Sequence, residues 1–411
     1  MDLLLARQPI LDAERKVYGY ELLHRSSRLD GFDNSDGDRA SLEVLSNTLL
    51  SFGIRKVLGK HRGFINFTRE LLVNDTALLL DPDVFVIEIL ETVQPDVEVI
   101  AACRRLRKKN YLLALDDFLG REAFHPLAAA ADFLKVDFRL TSHHERLKIV
   151  RRYNRPTLRL LAEKVETEQE FSLACQEGFT LFQGFFFLRP EILSQREVPA
   201  FKGNLLRILA EIHAEEFDFG RLEDLIKREP SLVLRLLRYV NSAAFGWNSK
   251  IGSIRQAMAL LGEDEMRRWL TLATLPALAS DRPEELVRTA MLRARACELL
   301  AIEAGLAGRS LDLFLTGMFS LLETIIGRPL KDLLDELFLP GDVRQALLEP
   351  PPAGGRIGSV FRLVENYEKG EWERVTDLAK ELGLTAENIA QRYLEATSWA
   401  EEIFSQIHVT V

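Results

Sequence analysis

The apolar positions of residues 1 to about 190 fall into short runs of strand length, at 17–23, 63–67, 84–90, 111–115, 133–136, 157–161 and 179–187. Between them, stretches such as 97–109 and 142–153 carry apolar residues at helical spacing with charge on the other face. Strands alternating with helices predict a largely parallel sheet. About seven such units in one domain favour a closed, TIM-like (β/α) barrel over an open doubly wound sheet. From about residue 200 the period changes: segments 205–212, 222–227, 232–240, 254–261, 266–275, 285–304 and 311–326 all read as helices. The polar, proline-containing stretch 189–199 marks the junction, and Pro350-Pro351-Pro352-Ala353-Gly354-Gly355 breaks the helical half again. The pattern therefore predicts an α/β barrel over 1–197, then an all-helical domain over 198–411 with a C-terminal helical extension.

The barrel runs end on polar residues. Tyr18-Gly19-Tyr20 leads to Glu21, Phe64-Ile65 to Asn66, and Phe85-Val86-Ile87 to Glu88. Leu113-Ala114-Leu115 leads to Asp116-Asp117, Phe133-Leu134 to Lys135, Leu160-Leu161-Ala162 to Glu163, and Thr180-Leu181-Phe182 to Gln183. A single carboxylate at a strand end is most often a helix cap or a salt-bridge partner. Seven runs doing the same thing is a pattern, because the C-terminal strand ends of a (β/α) barrel converge on one face, where active sites are built. Five carboxylates and an amide form an all-oxygen donor set suited to Mg²⁺ or Mn²⁺. With Asp116 and Asp117 adjacent, one set can serve two ions, and paired ions suit in-line attack on a phosphodiester. Lys135 is suited to hold a phosphate oxygen or polarise a water. On the residues alone, metal-assisted phosphate chemistry and a purely structural network both stand.

Composition narrows the class. A chain of 411 residues suggests two domains, and 47% hydrophobic with 28% charged residues is globular composition. No apolar run reaches the roughly 18–20 residues of a membrane span, and the first residues show no signal peptide. Three scattered cysteines fit a reducing compartment, so a cytoplasmic protein is expected. The net charge of −9 disfavours nucleic acid as a partner. Several tempting motifs are discounted. The acidic stretch 30–38 cannot be an EF-hand, since Phe32 would hold its first ligand position. Phe185-Phe186-Phe187 reads as barrel core, His143-His144 as surface, and Arg235, Arg238 and Arg267-Arg268 as solvated helix faces.

The ordered motifs resemble the EAL domain family over residues 3–190. They are Gln8-Pro9-Ile10, Glu21-Leu22-Leu23-His24-Arg25, Asn66 in Ile-Asn-Phe-Thr, Glu88-Ile89-Leu90-Glu91-Thr92, Asp116-Asp117-Phe118, Lys135 in Leu-Lys-Val-Asp, Glu163-Lys164-Val165-Glu166-Thr167 and Gln183-Gly184-Phe185. That resemblance implies a (β/α) barrel that hydrolyses cyclic di-GMP to linear pGpG with Mg²⁺ or Mn²⁺. It assigns Glu21, Asn66, Glu88 and Asp116 to a first metal. It gives Asp117 and Glu163 to a second metal and the attacking water, Lys135 to positioning that water, and Arg25, Gln183 and Gln8 to the substrate. Glu91 is similar to the glutamate that anchors the loop after the aspartate pair. That loop departs from the family: Leu119-Gly120-Arg121-Glu122-Ala123 stands where active members continue Gly-Thr-Gly-Tyr-Ser. The departure keeps open an alternative, a barrel that binds cyclic di-GMP or a protein without turnover. Glu229-Pro230-Ser231-Leu232-Val233, Arg235 to Gly246, and Ile251 to Gly262 resemble the HDOD family, helical relatives of HD phosphohydrolases without the metal site. No His-Asp dipeptide occurs, Ser320-Leu321 stands where relatives have it, and His213 reads as a surface or satisfied structural residue. The order of the two domains resembles a bacterial signalling architecture, with a protein partner expected at the HDOD half and a homodimer expected through the barrel.

Overall fold

Strand-length runs that must bury both faces pair into a sheet that closes on itself. The computed structural model describes residues 3–26, 53–188, 200–214, 218–242, 251–337, 339–349 and 353–408. Eight strands, β1 (Leu3–Asp12), β2 (Val17–Ser26), β3 (Arg62–Phe67), β4 (Phe85–Ile89), β5 (Leu112–Leu115), β6 (Phe133–Asp137), β7 (Arg159–Glu163) and β8 (Leu181–Gln183), form a closed barrel in chain order. Strands β2 to β8 correspond to the seven predicted runs and pair in parallel. Strand β1 is the eighth and lies antiparallel to both β2 and β8. Periodicity missed it, because Leu3-Leu4-Leu5-Ala6 does not alternate and Pro9 argues against a strand.

Helices α1 (Ile54–Leu58), α2 (Arg69–Val73), α3 (Val97–Lys108), α4 (His125–Ala130), α5 (His143–Tyr153) and α6 (Glu168–Glu177) lie along the barrel sequence. Their starts are written locally. Asp96 accepts from the Val99 N–H, and Ser142/Glu145 and Thr167/Glu170 form capping boxes. Strand side chains alternate, so two cores result. Ile10, Phe64, Val86, Ala114, Phe133, Leu161 and Leu181 fill the barrel interior. Their alternates, such as Ile65, Ile87, Leu113, Leu134 and Leu160, pack in a second cluster with Val99, Leu106, Ile149 and Phe171 of the helices.

By packing, the chain divides into one unit of residues 1–189 with 363–411 and a second of residues 190–362. The last helices, predicted as an extension of the helical domain, thus belong with the barrel. These are the end of α16 (Gly355–Glu368), α17 (Trp372–Leu382) and α18 (Ala386–His408), where α7 to α15 are the helices of the second unit. The reason lies at β1, which β8 covers only from Ile10 to Asp12. Further back along that edge, the Tyr367 hydroxyl accepts from the Leu5 N–H at 2.9 Å and donates to the Leu5 carbonyl at 3.0 Å. The buried guanidinium of Arg7 pairs with Glu401 of α18 at 2.7 Å and lies over the Tyr20 ring. An amphipathic pattern announces a helix but not the surface it will cover.

The second unit is helical: α7 (Ala200–Ile212), α8 (Phe219–Lys227), α9 (Pro230–Val240), α10 (Ile254–Leu278), α11 (Glu284–Glu303), α12 (Ser310–Phe319), α13 (Leu322–Ile326), α14 (Leu330–Asp335) and α15 (Gly341–Leu348). The two helices predicted at 254–261 and 266–275 are the halves of α10, interrupted at Gly262 (φ 74°). Helices α11 and α12 pack so closely that a Cβ at Gly317 would stand 2.6 Å from the Ala294 backbone. His213 is buried, not on the surface, and its Nε2 lies 3.1 Å from Thr271 Oγ1. Since that hydroxyl donates to the Arg267 carbonyl, the imidazole is the donor. Burial, with Arg267 adding to it, pushes the His213 pKa down to about 3. Among the described residues, no helix is long and apolar enough to cross a membrane.

Candidate active site

Six of the seven interior apolar residues have a polar one two positions on, and on the antiparallel β1 Gln8 stands two before Ile10; the alternation puts both on the barrel's inner face. Phe64 is followed by Asn66, Val86 by Glu88, Ala114 by Asp116, Phe133 by Lys135, Leu161 by Glu163 and Leu181 by Gln183. Glu21 joins them through its register opposite Gln8. The apolar layer therefore forms a floor, and the polar residues form a ring above it at the C-terminal strand ends.

Lys135 sits at the centre of the ring, 1% exposed. Its Nζ meets Glu163 Oε1 at 2.7 Å, Asp116 Oδ1 at 3.0 Å and Glu21 Oε2 at 3.1 Å, and it also bonds Glu88. Gln183 Nε2 donates to Glu21 Oε2 at 2.6 Å and to Gln8 Oε1 at 2.8 Å, while Asn66 Nδ2 reaches Glu21 Oε1 at 3.4 Å. Burial alone would lower the lysine pKa, but the carboxylates, Glu163 and Glu21 foremost, hold it well above its usual range. Glu88 and Glu163 are pushed well up, first by burial and then, despite Lys135, by their carboxylate neighbours. Burial also opposes ionisation of Asp116, yet Lys135 outweighs it and the carboxyl is lowered. Asp117 is raised by burial and by the adjacent Asp116.

One oxygen each from Glu21, Glu88 and Glu163 lies within 4.8 Å of the others, and the same holds for Asp116, Asp117 and Glu163. Glu163 thus belongs to both groups. Among the described residues, the buried oxygens Asn66 Oδ1, Glu88 Oε2, Asp117 Oδ1, Glu163 Oε2 and Gln183 Oε1 have no hydrogen-bond partner. Asp117 (φ 40°) and Lys164 (φ 54°) hold left-handed backbone that side chains rarely adopt, one directly after Asp116 and the other directly after Glu163.

The ring brings together Gln8, Glu21, Asn66, Glu88, Asp116, Asp117, Lys135, Glu163 and Gln183. Glu91 is different. It lies exposed beside Asp117, and no hydrogen bond ties it to the following loop, whose Leu119 and Gly120 offer no hydroxyl where the resemblance expects a threonine. The side chain of Arg25 and residues 30–38 lie outside the described residues. Sequence reasoning missed Asp137, which is buried, accepts from the Arg139 and Leu140 N–H groups at 2.6 and 3.1 Å and bonds Lys164. Lys164 in turn stands 3.9 Å from Asp117. The signal was available, since Asp137 follows Lys135 by two on the same inner face.

The chain matches the EAL domain over residues 38–190 and the HDOD domain over residues 198–327. It is 35% identical over 402 residues to the cyclic di-GMP phosphodiesterase CdgJ of Vibrio cholerae, covering 97% of this chain and 92% of that protein. The chain belongs to the EAL–HDOD family. An uncharacterized Bacillus subtilis protein, YuxH, is 34% identical over 411 residues, covering 98% of this chain and 99% of that one. A solved structure of Klebsiella pneumoniae BlrP1, in a calcium and cyclic di-GMP complex, is 26% identical over 46% of this chain and 56% of that chain, with a TM-score of 0.40. The EAL match begins past β2, so Glu21 enters the EAL ring through the strand register rather than through the matched segment.

Proposed function

We propose that this EAL–HDOD protein hydrolyses cyclic di-GMP to linear pGpG with Mg²⁺ or Mn²⁺ at the barrel mouth, and that its HDOD unit is the regulatory or partner-binding module. The observation that carries this reading is the set of buried acceptor oxygens without donors on Asn66, Glu88, Asp117 and Glu163. Such oxygens are costly to bury, and hard divalent cations take oxygen-only donor sets of this kind. Similarity to a protein named a cyclic di-GMP phosphodiesterase supports the choice of substrate. In this reading Glu21, Asn66, Glu88 and Asp116 hold one ion, and Asp117 with Glu163 the other. Bound ions supply an activated water and neutralise charge on the phosphodiester. Lys135 keeps the carboxylates converged and directs its ammonium at the water, while Gln183, Gln8 and Arg25 hold the dinucleotide. Among the described residues, both carboxylate groups lie in the barrel unit, which leaves partner binding and regulation to the HDOD unit. A homodimer through the barrel belongs to the same proposal.

A second reading, binding without turnover, is favoured by the loop Leu119-Gly120-Arg121 after the aspartate pair and by the Lys135 ammonium already paired with the carboxylates at the centre of the ring. One experiment separates the two. Purified protein is incubated with cyclic di-GMP and Mn²⁺ or Mg²⁺, and products are resolved by chromatography beside Glu21→Ala. Metal-dependent pGpG that disappears in the variant supports the enzyme. Undiminished hydrolysis by Glu21→Ala refutes the site, and no product with tight nucleotide binding supports the effector.

A further inference from the structure

Beside Asp116 and Asp117 the barrel rim opens into a cavity of ≈ 260 Å³. Phe118 and Phe124, both buried, and the exposed Leu119 and Leu140 give it apolar walls. Beyond the two aspartates its polar lining is Glu91 and Arg121, one acceptor and one donor. Both side chains are exposed, and neither makes a hydrogen bond or ion pair with another described residue. The cavity falls below the roughly 300–1,000 Å³ of pockets that enclose a drug-sized ligand, so it suits one ring system of a larger molecule.

We propose that this cavity is a base pocket that selects guanine through Glu91 and Arg121. The proposal rests on reading the barrel as a cyclic di-GMP site. Apolar and aromatic walls accept the face of any base and give no selectivity by themselves. The polar pair does. Guanine presents N–H donors at N1 and N2, which a carboxylate can only accept, and acceptors at O6 and N7, which a guanidinium can only donate to. Adenine turns its N1 acceptor toward the carboxylate and its N6 donor toward the guanidinium, so Glu91 is left unpaired and Arg121 keeps only N7. Proximity to Asp116 and Asp117 places the pocket where a base would lie with its phosphodiester at the carboxylate ring. The loop departure then has a use, since Leu119 and Arg121 supply a wall and a donor. Glu91 accordingly reads the substrate instead of tying down the loop.

The test is calorimetric binding of cyclic di-GMP and cyclic di-AMP to the full chain in Ca²⁺, with initial hydrolysis rates in Mn²⁺ alongside. Wild type, Glu91→Gln and Arg121→Ala are compared, each checked for folding by circular dichroism. The expected result is preference for cyclic di-GMP in wild type. Glu91→Gln should bind it about 10- to 100-fold more weakly and narrow the guanine-to-adenine ratio, since an amide can donate to adenine N1. Arg121→Ala should lose about 10-fold in cyclic di-GMP affinity. If Glu91→Gln lowers both nucleotides by one factor, or lowers only kcat, Glu91 is a loop anchor and the pocket assignment is wrong. If wild type neither binds nor hydrolyses cyclic di-GMP, the reading of the barrel fails and the pocket falls with it.

Discussion

Lys135→Met should turn the barrel into a metal-dependent fold. The ammonium stands among four carboxylates, and its removal leaves Glu21, Glu88 and Glu163 with oxygens within 4.8 Å of one another. At an effective dielectric of about 20, two ionised carboxylates at that distance repel by about 3.5 kcal/mol. Proton uptake relieves part of this, so the loss is about 3–5 kcal/mol, the usual cost of stripping one partner from a buried pair. With a urea slope of roughly 2–3 kcal/mol/M, the midpoint should fall by about 1–2 M in EDTA. A divalent ion replaces the lost positive charge, and at 100 times its dissociation constant it restores about 2.7 kcal/mol. The assay is urea unfolding followed by the fluorescence of Trp372 and Trp399, which lie in the barrel unit, with Trp247 and Trp269 replaced by Phe. Equal midpoints for variant and parent in EDTA, or a variant indifferent to Mn²⁺, would refute the electrostatic account of the ring.

Three further expectations concern stability. His213 is held neutral in the native state, whereas the unfolded chain takes up its proton below about pH 6.5; stability of the helical unit should therefore be full above that pH and fall by about 1.4 kcal/mol per pH unit toward pH 3, a slope that His213→Gln should abolish in denaturant titrations at pH 7 and pH 5. Gly184→Ala places a Cβ 2.0 Å from the Val165 carbonyl oxygen at φ +143°; a loss of about 2–5 kcal/mol is expected from strain and overlap, and an unchanged urea midpoint would contradict it. Tyr367→Phe removes both hydrogen bonds to Leu5 and should cost the barrel about 1–3 kcal/mol, visible as faster hydrogen exchange along β1.

How much of this was legible follows from what each signal encodes. The ring could be read because alternation is a property of single strands, and an apolar residue two before Asn66, Glu88, Asp116, Lys135, Glu163 or Gln183 fixes the face without any knowledge of the neighbours. Strand β1 could not, since Leu3-Leu4-Leu5 and Pro9 hide the period, although Gln8 was found through a motif. The return of residues 363–411 to the barrel was invisible for another reason: Tyr367 and Glu401 look like ordinary helix residues until Leu5 and Arg7, more than 350 positions earlier, are seen beside them. Asp137 was readable from its place two after Lys135 on the same face, but a carboxylate at a strand end that accepts the Arg139 and Leu140 N–H groups looks in sequence like any capping residue.

That return imposes an order of events on synthesis. Residues 1–189 leave the ribosome first, but the edge of β1 at Leu5 stays bare until Tyr367 and then α18 emerge. At roughly 5–20 residues per second the wait is on the order of 10–40 s, long enough for an unpaired strand edge to meet another chain. The helical unit is translated wholly within that interval. A message cut short between residues 190 and 363 would yield a barrel with every carboxylate of its ring and an open seam on its first strand, so damage at the far end of the gene is felt at the beginning of the protein.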